Sequence, residues 1–477
     1  MDSFRSFVLS RDLRFELYGT ALMCVLSYVF LLWLYPFPNY YADTGAYVTA
    51  AQTGEIGIFR PPGYSWLLAL AHLITPNPDV LVLLQTLLYF SSTLFLYLTL
   101  CFFFRQGARW MWRVFFLIFL LAPVCIYLCN FAISDSLFIS LNNLWIASLL
   151  WIMGRKKTGA VLLSTFLLLL LLQVRYISLF YPFITIIALF AAYFKVSKRK
   201  LILFCLLQAA VFAGVIAFTK WRTEKDIGVN VFSGFSGWQQ ANNALHVLPY
   251  INLEPEDIGD TSIRKLHSFM LANSPADLFP PGDSVVVTFL WSPYGAPKKY
   301  MFHLQGNGTK PYLYYWHQAS IPLGKWANYV IIRHPGVFMK HYMWPNFLFL
   351  FRMTNEALFE FPPPSQQIKE WFGCNNCEVK PRYDFLHDFL ARTASKSFNL
   401  LWVLFAASLV TLCFRSRLSF TPQQYGMVLL VSFFCLAYII LSVYASPIVL
   451  RYMLVIRHSL VFIPFLILIH LYPLRKK

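Results

Sequence analysis

The sequence predicts an all-α polytopic membrane protein with about ten transmembrane helices, interfacial helices and a mixed extracytoplasmic domain. Three observations predict it. Only 13% of the 477 residues are charged, against 58% hydrophobic and 18% aromatic, whereas a soluble chain carries about 25% charged residues. The apolar residues fall in blocks of about 20, the helical length that crosses a hydrocarbon core. The basic residues gather in alternate short loops, as the positive-inside bias requires. Composition excludes a soluble enzyme, a disordered chain and an ordinary nucleic-acid binder.

The spans follow in order. The first apolar run, 15–35, is long, lacks a small-residue cleavage site and is followed by further spans, so it reads as a retained helix rather than a signal peptide. Runs 80–104, 114–131 and 136–153 come next. Runs 159–174 and 176–194 are nearly continuous, and a tight turn near Arg175 must separate them. Run 201–219 closes an N-terminal module of seven spans over 1–219. Runs 397–414, 426–444 and 453–472 make a C-terminal module over 397–477. Between the modules, 220–396 is long enough for an extracytoplasmic domain. Within it, 325–351 is apolar but broken by charges and prolines, which suits an interfacial or re-entrant helix more than an eleventh span.

The net charge of +18 is explained by topology. With both ends inside, the cytoplasmic segments hold 18 basic residues, among them Arg105, Arg109, Arg113, Arg155, Lys156 and Lys157, against three acidic ones. The other side is nearly neutral, with 21 basic and 18 acidic residues. A nucleic-acid partner is therefore not needed to account for the charge.

Ionisable residues at membrane depth or at its face are costly, so they mark function or specific pairing. The first outer loop, 36–79, carries Asp43 and, seventeen residues later, Arg60-Pro61-Pro62-Gly63-Tyr64. The paired prolines stiffen the backbone before a short apolar helix can start. A carboxylate and a guanidinium are thus held on one loop at the bilayer surface, an arrangement that suits a lipid phosphate and a nearby hydroxyl. The alternative is an ion pair that only orders the loop. Asp135 lies in the short turn before the fourth span, where Ser134 and Asp135 also suit a helix N-cap. Arg175-Tyr176 and Arg451-Tyr452 interrupt apolar runs at the same face, or else snorkel to it. Trp238, Asn242 and Asn243 form a polar aromatic cluster suited to a sugar or to a packed turn. Cys374 and Cys377 stand alone on the outer side without further ligands at zinc spacing, so a local disulfide is expected there.

Together these residues resemble the polyprenyl-phosphate-dependent membrane glycosyltransferases of the GT-C fold, in the branch that contains protein mannosyltransferases and the aminoarabinose transferase of lipid A. The resemblance is carried by Tyr41, Asp43 and Tyr47 in the first loop, by Arg60-Pro61-Pro62, by Ser134 to Phe138, and by Arg175 ahead of a Leu-Phe-Tyr-Pro run. His334-Pro335 and Arg451-Tyr452 complete it. Two features depart from the pattern. Thr44 follows Asp43 where protein mannosyltransferases carry Asp-Glu, and the second outer turn has no Asp-x-Asp.

The resemblance implies inverting transfer of a sugar from a polyprenyl phosphate to an acceptor hydroxyl on the extracytoplasmic face. Asp43 would be the general base and Asp135 would orient sugar or acceptor. Arg60, Arg175, Arg451 and Tyr64 would hold the donor phosphate. Tyr41, Tyr47, Trp238, Asn242, Asn243, His334 and Tyr452 would contact sugar or acceptor. No cofactor is implied, although Asp43 and Asp135 are the pair that could share a divalent metal. The expected partners are the lipid-linked donor, a glycan, lipid or protein acceptor, and membrane lipids, in a bacterial cytoplasmic membrane with the site outside. The rival readings are a transporter or flippase for a lipid-linked sugar, which would show repeats or broken helices, and an O-antigen ligase or polymerase.

Overall fold

The computed structural model describes residues 3–55, 60–104, 106, 108–274, 288–353, 355–374, 377, 379–414 and 418–471. Arg105, Arg415, Arg417, Arg475, Lys476 and Lys477, expected in the cytoplasmic segments, lie outside this set, as does 56–59 of the first outer loop. Among the described residues, nine helices are long and apolar enough to cross a membrane. The chain is a multi-pass integral membrane protein, and no strand is formed among the described residues beyond one isolated bridge between Asn39 and Phe131.

Most expected spans map onto single helices: Arg14–Leu34, Pro78–Phe104, Asp135–Arg155 and Pro422–Ala445. The last starts with Pro422 inside a capping box made by Thr421 and Gln424, which satisfies otherwise orphaned N–H groups. The expected fifth span is Thr158–Val174, a shorter apolar helix of 17 residues. At 1.5 Å per residue it is about 25 Å long, near the lower limit for a crossing. Lys198–Ile227 and Asp384–Cys413 have 30 residues each. They are longer than a hydrocarbon core needs, and the segment between them holds the expected outer module.

Two spans are interrupted, which the hydropathy pattern does not reveal. The third is Arg109–Leu120 and Pro123–Leu128, with Leu121 and Ala122 between them. Pro123 lacks an N–H and cannot bond the Phe119 carbonyl four residues back, and the Ala122 N–H turns to Leu120 instead. The carbonyls of Ile118 and Phe119 are left over, and the Arg457 guanidinium donates to both, at 3.2 and 3.5 Å. Arg457 opens the long part of the tenth span, which is Leu450–Met453, a 3-10 turn Leu454–Ile456 and then Arg457–Leu471. The tenth span thus satisfies the carbonyls freed by the break in the third.

The outer module is helical where a mixed domain is expected. It contains Ser236–Leu245, Thr261–Ala272, Ala296–Gln305 and Tyr312–Arg333. The last buries a stripe of Trp316, Ala319, Leu323, Trp326, Ala327 and Val330 at helical spacing. Trp238 stacks on Trp316 with ring centres 4.0 Å apart, at the centre of a core separate from that of the bundle. The expected interfacial helix over 325–351 is therefore two segments. Its first part ends the buried helix Tyr312–Arg333. Pro335 disfavours helical backbone at His334, and a second run continues through a π turn, Met339–Met343. The second run presents an exposed apolar face, with Met339, Trp344, Leu348 and Phe351.

Two asparagines latch the module to the ninth span. Asn243 donates to the carbonyls of Tyr444 and Ala445 at 2.8 and 3.1 Å. Asn346 donates to Val443 and Ser446 at 2.7 and 2.8 Å and accepts from the Ile448 N–H at 2.8 Å. The orphan carbonyls at that helix end are thereby satisfied, and the segment leading into Arg451 is held.

Candidate functional site

The first outer loop is stitched to the turn that precedes the fourth span. The Asn39 N–H donates to the Asn130 carbonyl at 2.8 Å, and the Ala132 N–H to the Asn39 carbonyl at 2.9 Å. The Thr44 hydroxyl adds a bond to the Ala132 carbonyl at 3.0 Å. Asp43 and Asp135, 92 positions apart in the chain, are brought to one place by these contacts. Gly63 seats the following helix, Gly63–Ile74, against the end of Thr158–Val174: a Cβ there would lie 2.6 Å from the Gln173 carbonyl oxygen. Arg175 ends that helix in an extended conformation.

Five charged side chains meet here. Arg60 Nη2 lies 2.9 Å from Asp43 Oδ1, and Arg175 Nη2 lies 2.6 Å from Asp135 Oδ2. Arg451 Nη1 stands between the pairs, 3.6 Å from Asp43 Oδ2 and 3.8 Å from Asp135 Oδ2. Three guanidiniums against two carboxylates leave one positive charge. Asp135 and Arg451 are sealed, with side-chain exposures of 1% and 4%, while Asp43 and Arg60 reach the surface at 16% and 29%. Such a cluster survives burial only because each charge is paired. Burial pushes the Asp43 carboxyl up, but Arg60, Arg451 and Arg175 outweigh it and hold its pKa below the ordinary value of 3.8.

Hydroxyls and rings complete the wall. Ser134 accepts from Tyr47 Oη at 3.0 Å and from Arg175 Nε at 3.1 Å. Neither Ser134 nor Asp135 caps its helix: Ser134 makes no capping bond, and the Asp135 carboxylate is drawn to the guanidiniums. Arg451 lies over the rings of Tyr41 and Tyr452, at 4.4 and 5.3 Å, and Arg60 over Phe235 of the outer module at 5.2 Å. Asp135 Oδ1 accepts no hydrogen bond among the described residues.

Of the residues singled out in the sequence, Asp43, Arg60, Asp135, Arg175, Arg451, Tyr41, Tyr47 and Tyr452 converge on this cluster. Tyr64 does not face it as a phosphate ligand. Tyr64 is fully buried, and its hydroxyl donates toward Gln85 Oε1 at 3.2 Å and the Phe131 carbonyl at 3.4 Å, so it supports Tyr47 from behind. Trp238 is sealed in the second core, where its Nε1 donates to the Trp316 carbonyl. Asn242 accepts from the Leu290 N–H, and Asn243 is the latch on the ninth span. His334 lies at the break after Tyr312–Arg333, its pKa lowered by burial and then by Arg333 and His267. None of these four makes a described contact with the five charges. Cys374 and Cys377 are joined as a disulfide with Cα atoms 5.8 Å apart.

Sequence reasoning missed two contributors. Ser134 reads as a cap or as part of the Ser134–Phe138 motif, not as the hydroxyl that joins Tyr47 to Arg175, and nothing in the chain distinguishes Phe235 from the other 46 phenylalanines. Arg451 places a fixed positive charge between Asp43 and Asp135, where a bridging cation would be repelled, and no cluster of three or more metal-ligating side chains occurs among the described residues. No family model, curated protein or solved structure matches the chain.

Proposed function

We propose that the protein is an inverting glycosyltransferase that moves a sugar from a polyprenyl-phosphate donor to an acceptor hydroxyl at the outer membrane face. The observation that carries this is the partly open Asp43 carboxylate between Arg60 and Arg451, in a cluster of net charge +1. A single phosphate is the anion such a cluster is short of, and guanidinium forks suit its oxygens.

In the proposed reaction the donor phosphate enters beside Arg60, backed by Arg451. The acceptor oxygen attacks the anomeric carbon from the opposite side while Asp43 takes its proton. The bond from that carbon to the phosphate oxygen breaks, and the electron pair leaves with the polyprenyl phosphate. The guanidiniums stabilise the charge that collects there, worth a few kcal/mol for one well-placed donor. Their depression of the Asp43 pKa would make it a weak base at rest. A bound phosphate shares the guanidinium charge, so the carboxylate gains basicity as the donor arrives. Asp135, sealed and held by Arg175, fixes Arg451 behind Asp43. Phe235 and the half-exposed Trp291, with ring centres 5.9 Å apart, continue outward from Arg60 and suit an acceptor that stacks. A bacterial cytoplasmic membrane with the cluster outside belongs to the same proposal.

The test is to supply purified protein with a panel of polyprenyl-phosphate sugars and compare donor consumption by the native chain and Asp43→Asn. Loss of turnover with donor binding retained supports the base role. Undiminished turnover in the variant refutes it.

A second reading, a transporter or flippase for a lipid-linked sugar, is favoured by the interrupted third and tenth spans, since broken helices are a transporter feature. Movement of a labelled lipid-linked sugar across proteoliposomes without sugar transfer would establish it instead.

A further inference from the structure

At the opposite end of the bundle, Glu16 sits in the first turn of the first span. It is 3% exposed, and its Oε2 has no hydrogen-bond partner among the described residues. It lines a cavity of about 110 Å³ together with Phe7, Asp12, Tyr97, Arg109 and Trp112. That volume exceeds what one water needs by several-fold. Asp12 and Arg109 form its outer edge, each about half exposed. They are joined through the carboxylate at 3.0 Å, and Arg109 also donates to the Asp12 carbonyl at 2.6 Å.

The charges in this cavity do not balance. Asp12 is matched by Arg109, whereas Glu16 has no ion pair among the described residues. A buried carboxylate without a counter-charge is costly, and here it faces an enclosed space walled by three aromatic rings. An ammonium group answers both features, by ion pairing with Glu16 and by lying against ring faces. The position limits which ammonium it is. The cavity lies at the basic end of the first span, where headgroups are expected, and the exposed Arg11 and Arg14 flank Asp12 in the chain. A cation wanted inside and an anion wanted just outside describe a zwitterionic lipid with a small amine. A trimethylated amine is larger and cannot donate hydrogen bonds to the carboxylate.

We propose that this cavity binds the primary ammonium of an aminophospholipid headgroup from the cytoplasmic leaflet, with Glu16 as its counter-ion. The site is remote from the Asp43 cluster and independent of any activity there.

The test is lipid retention. The full chain is purified in mild detergent, exchanged against equimolar phosphatidylethanolamine, its mono-, di- and trimethylated forms and phosphatidylglycerol, and the bound lipid is measured by native mass spectrometry. Retention should fall stepwise with methylation, by about five- to ten-fold from primary to quaternary amine, equivalent to the loss of about one charged contact. Glu16→Gln should bring phosphatidylethanolamine down to the level of the trimethylated lipid and leave phosphatidylglycerol unchanged. Soluble glycerophosphoethanolamine should compete only weakly if the acyl chains contribute, and fully if the site takes free headgroup. Equal retention across the methylation series overturns the proposal, as does a Glu16→Gln chain that keeps the preference. The series on the native chain decides the matter even where the variant does not fold.

Discussion

Arg451 touches both carboxylates of the outer cluster, its Nη1 lying 3.6 Å from Asp43 and 3.8 Å from Asp135. It arrives from the start of the last span, and the carboxylates from the first loop and the fourth span. One guanidinium therefore ties three distant parts of the chain together, and its removal leaves two neighbouring acids with one guanidinium each.

Arg451→Met should lower stability by about 3 kcal/mol, the usual cost of removing one partner from a buried ion pair. Combining it with Asp135→Asn should add a further loss, because Arg175 is then left without its carboxylate partner. Thermal unfolding of the four chains in one detergent gives the coupling.

Asp43→Asn should lower donor turnover by about 10²–10⁴-fold, the range for a lost general base, with donor affinity kept or improved because Arg60 is released to the phosphate. Single-turnover kinetics and a separate binding measurement distinguish the two effects.

Acid should destabilise the native chain more than Asp43→Asn. The folded pKa of Asp43 lies below its ordinary 3.8, because Arg60, Arg451 and Arg175 outweigh the opposing effect of burial. Its contribution is complete above that ordinary value and disappears as pH falls through the lower folded one. Unfolding temperatures of native and variant chains should therefore stay apart above about pH 4 and converge below it.

Gly63→Ala should cost about 1–3 kcal/mol through overpacking, since the new methyl would meet the Gln173 carbonyl at 2.6 Å. The neighbouring Arg60 would shift with it. Weaker donor binding, together with a lower unfolding temperature, is the expected signature.

Asn346→Ala should cost about 1–3 kcal/mol by stranding buried carbonyls at the end of the ninth span. Limited proteolysis should cut near 446–450 faster in the variant than in the native chain.

Much of this architecture is legible from the residues. Apolar block length marks the spans because transfer into lipid is a local property of each segment. The failures have specific causes. Pro123 breaks the third span without leaving the apolar run, because hydropathy does not register a lost N–H. Trp238 resembles a sugar platform until Trp316, 78 residues away, is seen to cover it. Tyr64 adjoins the Arg-Pro-Pro element in sequence but turns inward to Gln85.

What the chain determines by itself is the multi-pass helical bundle and the collection of ionisable residues at one face, since each follows from the cost of placing a given side chain in lipid. Which acid meets which base was decided only by the tertiary structure. Asp135 pairs with Arg175 forty positions on, and Arg451 reaches Asp43 from the far end of the chain, because the rotation and depth of packed helices set those distances. No local pattern encodes them.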